Sequence, residues 1–311
     1  MNARPQRIVI VTLLMIALIL TLAAGCGPSS PKPPKNALSA ITVYVDPSDP
    51  VAQVPVQLAV DLGFFRDHRL NIILDRQPHG ADIRVAPIGP RWPIVGYITV
   101  RPDLLLVAPT SDPHFRLRAL DHLPMPASTN IRTQTPLADA ILRAHDAVLS
   151  HWSMLPMQTI TSLWRRHQLP WVLVTLPQAA HLLAIDPHTM ILAWLGASSG
   201  PIPSWVVSAP TASPALIDRF LAALDLALWY LNTTPAWQIT SVLRVNHHAV
   251  SAWMIKRALQ YGYWPATIFP TSSAYNRRRI NWNPTWPEYD EAVDTRPASQ
   301  ALGEVVIQRQ A

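Results

Sequence analysis

"VPVQLAVDLGFFRDHRLNIIL", residues 54 to 74, is the stretch on which the reading of this chain turns. Pro55 stands where a first helical turn tolerates proline. The apolar residues after it predict a short helix that ends near Gly63, and "LNIILD" (70 to 75) then reads as a strand. Upstream, "AITVYVD" (40 to 46) alternates with β-branched residues and reads as another strand, and "DPSDP" (46 to 50) is the turn between it and the helix. The order is strand, helix, strand.

The same alternation continues outward. "ADIRVAP" (81 to 87) and "DLLLVAP" (103 to 109) are further apolar segments, while "RWPIVGYITVRP" (91 to 102) is expected to be helical only in part, given Pro93 and Gly96. "QTITSLWRRHQ" (158 to 168) predicts a helix, "WVLVTL" (171 to 176) a strand, and Pro177 opens "QAAHLLA" as another helix. "TMILAWL" (189 to 195) and "SWVVSA" (204 to 209) read as strands. In "SPALIDRFLAALDLALWYLN" (213 to 232), Ser213 is a natural N-cap and Pro214 the first helical residue. Ile217, Phe220, Leu221, Leu224, Leu228 and Leu231 fall on one face there, with Asp218 and Asp225 expected away from it. A second amphipathic helix, "NHHAVSAWMIKRALQYG" (246 to 262), is expected to start at Asn246 and stop at Gly262. Alternating strands and helices imply an α/β architecture with largely buried sheets.

The chain opens differently. Arg4 and Arg7 precede an uncharged apolar run from Ile8 to Ala24, which is the pattern of a secretion signal. Leu22-Ala23-Ala24-Gly25 before Cys26, the single cysteine, resemble the bacterial lipobox, in which the thiol is acylated and the signal is removed. Several acyl chains, at roughly 0.8 kcal/mol per buried methylene, hold a domain at a membrane far more firmly than one. The alternative is an uncleaved anchor at the short end for a membrane span. Either way the remainder lies outside the cytoplasm. With Cys26 committed to an anchor, disulfides, thiolate metal sites and cysteine nucleophiles are excluded.

Loss of residues 1–25 leaves about 285 residues, enough for one large or two medium domains. Residues 26–39, rich in proline and serine, read as a tether. Charged residues make up 14% of the chain, against a usual share of about 25%. The net charge of +6 is evenly spread and includes the two arginines of the signal, which argues against nucleic acid. The one basic run, Arg277-Arg278-Arg279, reads as a solvated face or a membrane-proximal patch.

Four segments together resemble the solute-binding lipoproteins of ABC importers in the nitrate, sulfonate and thiamine-precursor group. Gly63-Phe64-Phe65 and Arg69-Leu70 resemble the glycine-phenylalanine helix end and the following strand of that group. "PDLLLVAP" resembles its strand out of the first lobe. "MILAWLGASSGPIPSWVVSA" resembles the returning strands, with Gly196, Gly200 and Pro203 at the turn. "SPALIDRFLAALDLALWYLNTTP" resembles the long helix after them, and "ALQYGYWP" (258 to 265) a later helix end. The resemblance spans roughly residues 40–270 and implies a two-lobed type II periplasmic-binding-protein-like fold, with two crossing strands between lobes and a ligand held by hinge closure. On that frame residues 40–110 form the first part of lobe I, 111–195 lobe II, and 196–311 the second part of lobe I with a C-terminal tail. Three departures stand out: "RQPHG" (76 to 80) is too short for the helix usual there, "LPMPASTN" (123 to 130) replaces a glycine- and serine-rich anion loop, and Leu176 precedes Pro177 where a glutamate is common.

The resemblance implies a lipid-anchored binding protein, a monomer without cofactor and not an enzyme. Its partners would be a small-molecule ligand (a pyrimidine, a sulfonate or a nitrate-like anion), an ABC permease, and the membrane through its anchor. The rival reading is a degenerate fold of the same kind, kept as a sensor or protein-interaction module. Crevices in open α/β sheets lie beyond the carboxyl ends of strands, so Asp46, Ser48 and Asp49 are candidates to bind a cationic or amide-bearing ligand, or else cap their own turn. Trp92 would stack on a flat ring or fill core or surface. Ser128 and Thr129 would present hydroxyls and amides to an anion or form an ordinary loop. Gln178 would reach the cleft from lobe II or face solvent. The eleven histidines show no metal-ligand spacing, and no nucleophile elbow, P-loop or dinucleotide fingerprint is present.

Overall fold

A computed structural model describes residues 38–89, 93–110, 114–198, 200–243, 250–282 and 285–310. The signal, the tether with Cys26, and Trp92 lie outside the described residues. Among the described residues no helix is long and apolar enough to cross a membrane.

Strand β1 (Ser39–Val45) leads through the aspartate-rich turn into helix α1 (Val54–Asp61), with proline in its first turn. Gly63, at φ 80°, opens the short helix α2 (Phe64–Asp67), and β2 (Leu70–Asp75) follows. Residues 76–82 carry no helix before β3 (Ile83–Pro87). The segment expected to be partly helical is instead strand β4 (Ile94–Thr99), buried along its whole length. A strand buried on both faces shows no alternation, and Gly96 is needed there because a Cβ would lie 2.8 Å from Ile268 Cγ1.

The chain then crosses to a second sheet. β5 (Leu105–Ala108), β6 (Pro124–Ser128), β7 (His151–Leu155), β8 (Val172–Val174) and β9 (Met190–Trp194) form it, in the order β7-β6-β8-β5-β9. Helices α3 (Thr135–Arg143), α4 (Met157–Arg165) and α5 (Leu176–Ile185) alternate with these strands. After α6 (Leu195–Ser198) the chain returns to the first sheet as β10 (Trp205–Ser208), giving the order β2-β1-β3-β10-β4. The two sheets are built alike. In each, the strand that arrives from the other sheet takes the fourth place and runs antiparallel to both neighbours: β10 between β3 and β4, β5 between β8 and β9.

The two crossings hold each other. The Ile202 amide donates to the Val100 carbonyl (2.8 Å), Ser204 to Thr99 (3.0 Å) and Leu195 to Leu104 (2.9 Å). The Trp194 indole donates to the Pro102 carbonyl (2.8 Å), and Gly196 sits so close that a Cβ would lie 2.1 Å from that oxygen.

The C-terminal part is helical: α7 (Pro214–Thr233), α8 (Ala236–Leu243), α9 (Ala252–Gln260), α10 (Ser272–Trp282), α11 (Tyr289–Ala292) and α12 (Arg296–Gln310). α7 packs against α1, α2 and α12, with Phe220 stacked on Phe65 of α2 at 5.0 Å between ring centroids. Two details differ from expectation. Asp225 is fully buried within α7, because its carboxylate accepts the Ile268 amide at 2.9 Å. Asn246 lies outside the described residues, and Ser251 caps α9 by accepting the Met254 amide at 3.3 Å.

Candidate functional site

Between the two sheets lies a cavity of about 550 Å³. The turn after β1 contributes Ser48, Asp49 and Pro50, and the crossings contribute Asp103 and Ser204. The segments after β6 and β8 contribute Asn130, Thr133, Gln134, Thr175 and Gln178. Tyr263, Trp205 and Arg278 complete the wall. A volume of this size suits a small organic ligand.

Asp49 is fixed by its own turn, accepting the Val51 and Ala52 amides at 2.9 and 3.1 Å. Its other oxygen accepts the buried Tyr263 hydroxyl at 2.5 Å. Removal from water raises the Asp49 carboxyl above the usual carboxylate range, opposed by the Tyr263 hydroxyl and the two amides, with the Asp46 charge adding to the rise.

Asp103, 5% exposed, accepts the Leu176 amide at 2.7 Å through Oδ1. That amide belongs to the first turn of α5, where helix amide groups point outward. Asp103 Oδ2 is buried with no partner among the described residues, and so is Ser204 Oγ. Burial, then the Asp49 charge, push the Asp103 carboxyl well up, and the Leu176 amide opposes them. Burial and both carboxylates push the Tyr263 phenol well up as well. Two carboxyls of raised proton affinity in one recess can hold a proton or a cation between them.

The basic run expected on a solvated face is in fact tied down. Arg278 is 2% exposed, donates to the Pro203 carbonyl at 2.6 Å and lies 5.6 Å from the centroid of the Trp286 ring. Arg277 donates to the Pro201 carbonyl at 3.1 Å, and Arg279 pairs with Glu288 at 2.8 Å. The Pro201 and Pro203 carbonyls of the proline-rich crossing, exposed to side-chain donors, draw the first two in.

Of the residues singled out from sequence, Ser48, Asp49 and Gln178 line the cavity. Asp46 accepts the Ser48 amide at 2.9 Å and the Tyr44 hydroxyl at 3.3 Å, and it borders a separate hollow with Tyr44, Arg84 and Ser208. Ser128 is fully buried, accepting the Asn130 amide at 3.3 Å and the Gln178 side-chain amide at 2.9 Å. Gln178 also accepts the Thr175 amide at 3.1 Å, so its side chain holds the entry to α5 while bordering the cavity. Thr129 begins a short 3-10 turn (Thr129–Gln134) and does not reach the cavity wall. Asp103, Ser204, Trp205, Tyr263 and Arg278 were not singled out. Asp103 carried a signal, a carboxylate directly before a wholly apolar strand; Tyr263 was visible only as part of an aromatic helix end.

Among the described residues no group of three or more His, Cys, Asp or Glu side chains is placed to hold a metal ion. No protein-family model and no curated protein sequence matches the chain. Solved structures do. The alkanesulfonate-binding protein SsuA from Xanthomonas axonopodis pv. citri, bound to MOPS, is 14% identical with a TM-score of 0.58, over 83% of this chain and 99% of its own. The ligand-binding component of an ABC-type import system from Staphylococcus aureus, with zinc bound, is 10% identical with a TM-score of 0.58, over 85% and 99%. The desulfurization enzyme DSZB is 12% identical with a TM-score of 0.58, over 86% and 99%. At these identities the likeness is one of fold, and the fold is that of the periplasmic binding proteins.

Proposed function

We propose that this chain is an extracytoplasmic solute-binding protein, anchored through a lipid on Cys26, which captures a small organic molecule or ion and delivers it to an ABC permease. The observation that carries the reading is the cavity of about 550 Å³, walled by residues of the first sheet, of the segments that follow β6 and β8, and of both crossings. A ligand bridging the two sides stabilises the closed arrangement, and a permease can recognise that arrangement. SsuA and the staphylococcal import component are ligand-binding proteins by name. Residues 40–110 with 196–311 would form one lobe and 111–195 the other, with β5 (Leu105–Ala108) counted in the second because it pairs with β8 and β9. The reading is non-catalytic even though DSZB shares the fold: each carboxyl of the wall accepts a backbone amide, and among the described residues no histidine or cysteine lines the cavity.

A thermal-shift screen of the full-length chain in detergent, against pyrimidines, sulfonates, nitrate, amino acids and amines, tests this. A true ligand at a hundredfold excess over Kd adds about 2.7 kcal/mol to stability. A flat screen of a folded protein would sink the capture reading. Radiolabelled palmitate incorporated by the wild type and lost in Cys26→Ser tests the anchor.

A second reading has its own observation. Without a helix over residues 76–82, a groove of about 560 Å³ lined by Tyr44, Val56, Val60 and Leu74 opens beside edge strand β2, and Leu74 is 60% exposed. Exposed apolar grooves at sheet edges favour a protein partner, so a sensor or interaction module is the reading that a flat ligand screen would promote.

A further inference from the structure

Resting on the solute-capture reading, we infer that the cavity takes an organic cation with at least two N–H donors, an amine or amidinium, whose charged end binds Asp103 Oδ2 and the Asp49 carboxylate. Three observations carry this. Asp103 lines the recess and its Oδ2 is buried without a partner among the described residues, as is Oγ of Ser204 in the same wall. Neither Asp49 nor Asp103 has an ion-pair partner among those residues. Arg278, the one basic side chain in the wall among the described residues, is directed to the Pro203 carbonyl and the Trp286 ring.

A buried carboxylate and a partly buried one, with no counter-charge among the described residues, are costly, and an incoming cation offsets that cost where an anion would add to it. The raised proton affinity of both groups is the free-state sign of the same imbalance. A divalent metal fits less well, since the carboxylates lack a third metal-binding side chain. An organic body has a matching wall: Trp205 offers an aromatic surface, which attracts cations, and Pro50, Pro87 and Pro177 offer apolar edges. Asn130 and Gln134, from the opposite side, supply amide groups for the remainder of the molecule.

Calorimetric titration of the full-length protein in detergent decides the matter. Agmatine, benzylamine and benzamidine are the cationic probes, ethanesulfonate and nitrate the anionic ones, uracil the neutral one, and zinc chloride the metal. At least one organic cation is expected to bind, with affinity about 30-fold or more weaker in Asp103→Asn. Asn keeps the acceptor for the Leu176 amide, and Asp49→Asn provides a second variant should the first misfold; circular dichroism checks both. Binding of sulfonate, nitrate or uracil with the cations silent would leave solute capture standing and overturn the cation. Zinc binding alone would reassign the carboxylates to a metal and overturn it too, as would cation binding undiminished in both variants. Silence from every probe, with the thermal screen equally flat, would overturn this inference and the capture reading together.

Discussion

Asp225 and Asp103 are both buried aspartates, yet their surroundings are opposite. Asp225 sits inside α7 among core residues, and its carboxylate ties that helix to the Ile268 amide, beside the strand edge where Tyr97 also bonds Ile268. Asp103 sits in a crossing between sheets, satisfied on one oxygen and bare on the other, at the wall of the cavity between the sheets. Burial alone therefore says little about function. What separates a structural carboxylate from a binding one is whether the protein itself fills its acceptor positions.

Asp225→Ala should have the largest effect, since it strands the Ile268 amide and opens a gap under α7. A loss of about 3 kcal/mol is expected, seen as a fall in Tm of roughly 6–12 °C. If Asp225→Ala is silent, Asp225 is no more structural than Asp103 and the contrast fails.

Asp103→Asn should act in the opposite direction. The unfolded carboxyl ionises near pH 4, whereas the folded one, facing Asp49, Tyr263 and the cavity wall with Arg278, ionises at higher pH. Between those values the folded state keeps a proton that the unfolded state has lost. The contribution of Asp103 to stability is thus full below about pH 4 and is lost as pH rises through the folded value. Urea unfolding should show the neutral Asn variant matching the wild type at low pH and exceeding it by on the order of 2 kcal/mol at neutrality. A difference independent of pH would place Asp103 in the same class as Asp225.

Tyr263→Phe should show the smallest change. It removes the 2.5 Å hydrogen bond to Asp49 while keeping the ring packed on Trp194 and Trp264. A loss of about 1 kcal/mol is expected, and calorimetry under the same conditions would detect it. A loss comparable to that of Asp225→Ala would mean the cavity's floor is as structural as the core.

Much of the fold was legible because its signals are local. Pro55, Gly63, Pro177 and Pro214 mark helix boundaries through backbone restrictions that act within a turn. β4 was not legible, since a strand buried on both faces carries no period and Gly96 answers to Ile268, far along the chain. Asp225 was misplaced for the same reason: nothing in the helix period announces a partner 43 residues away. The site was half legible. The aspartate turn could be read from its own residues, while Tyr263 and Arg278 reach the cavity only through tertiary packing, and Arg278 through carbonyls of a proline-rich segment 75 residues earlier.

The bond from the Leu195 amide to the Leu104 carbonyl closes the second sheet into a loop, with the Trp194 indole on Pro102 and the Ile202–Val100 and Ser204–Thr99 bonds lining up behind it. In chain-statistics terms, joining the ends of a flexible loop of about 90 residues costs about 4 kcal/mol, and lengthening the loop adds little more. Those parts of the stretch between the two leucines that do not share the core with the first sheet and its helices can therefore grow or shrink while the first sheet keeps β4 and β10 side by side.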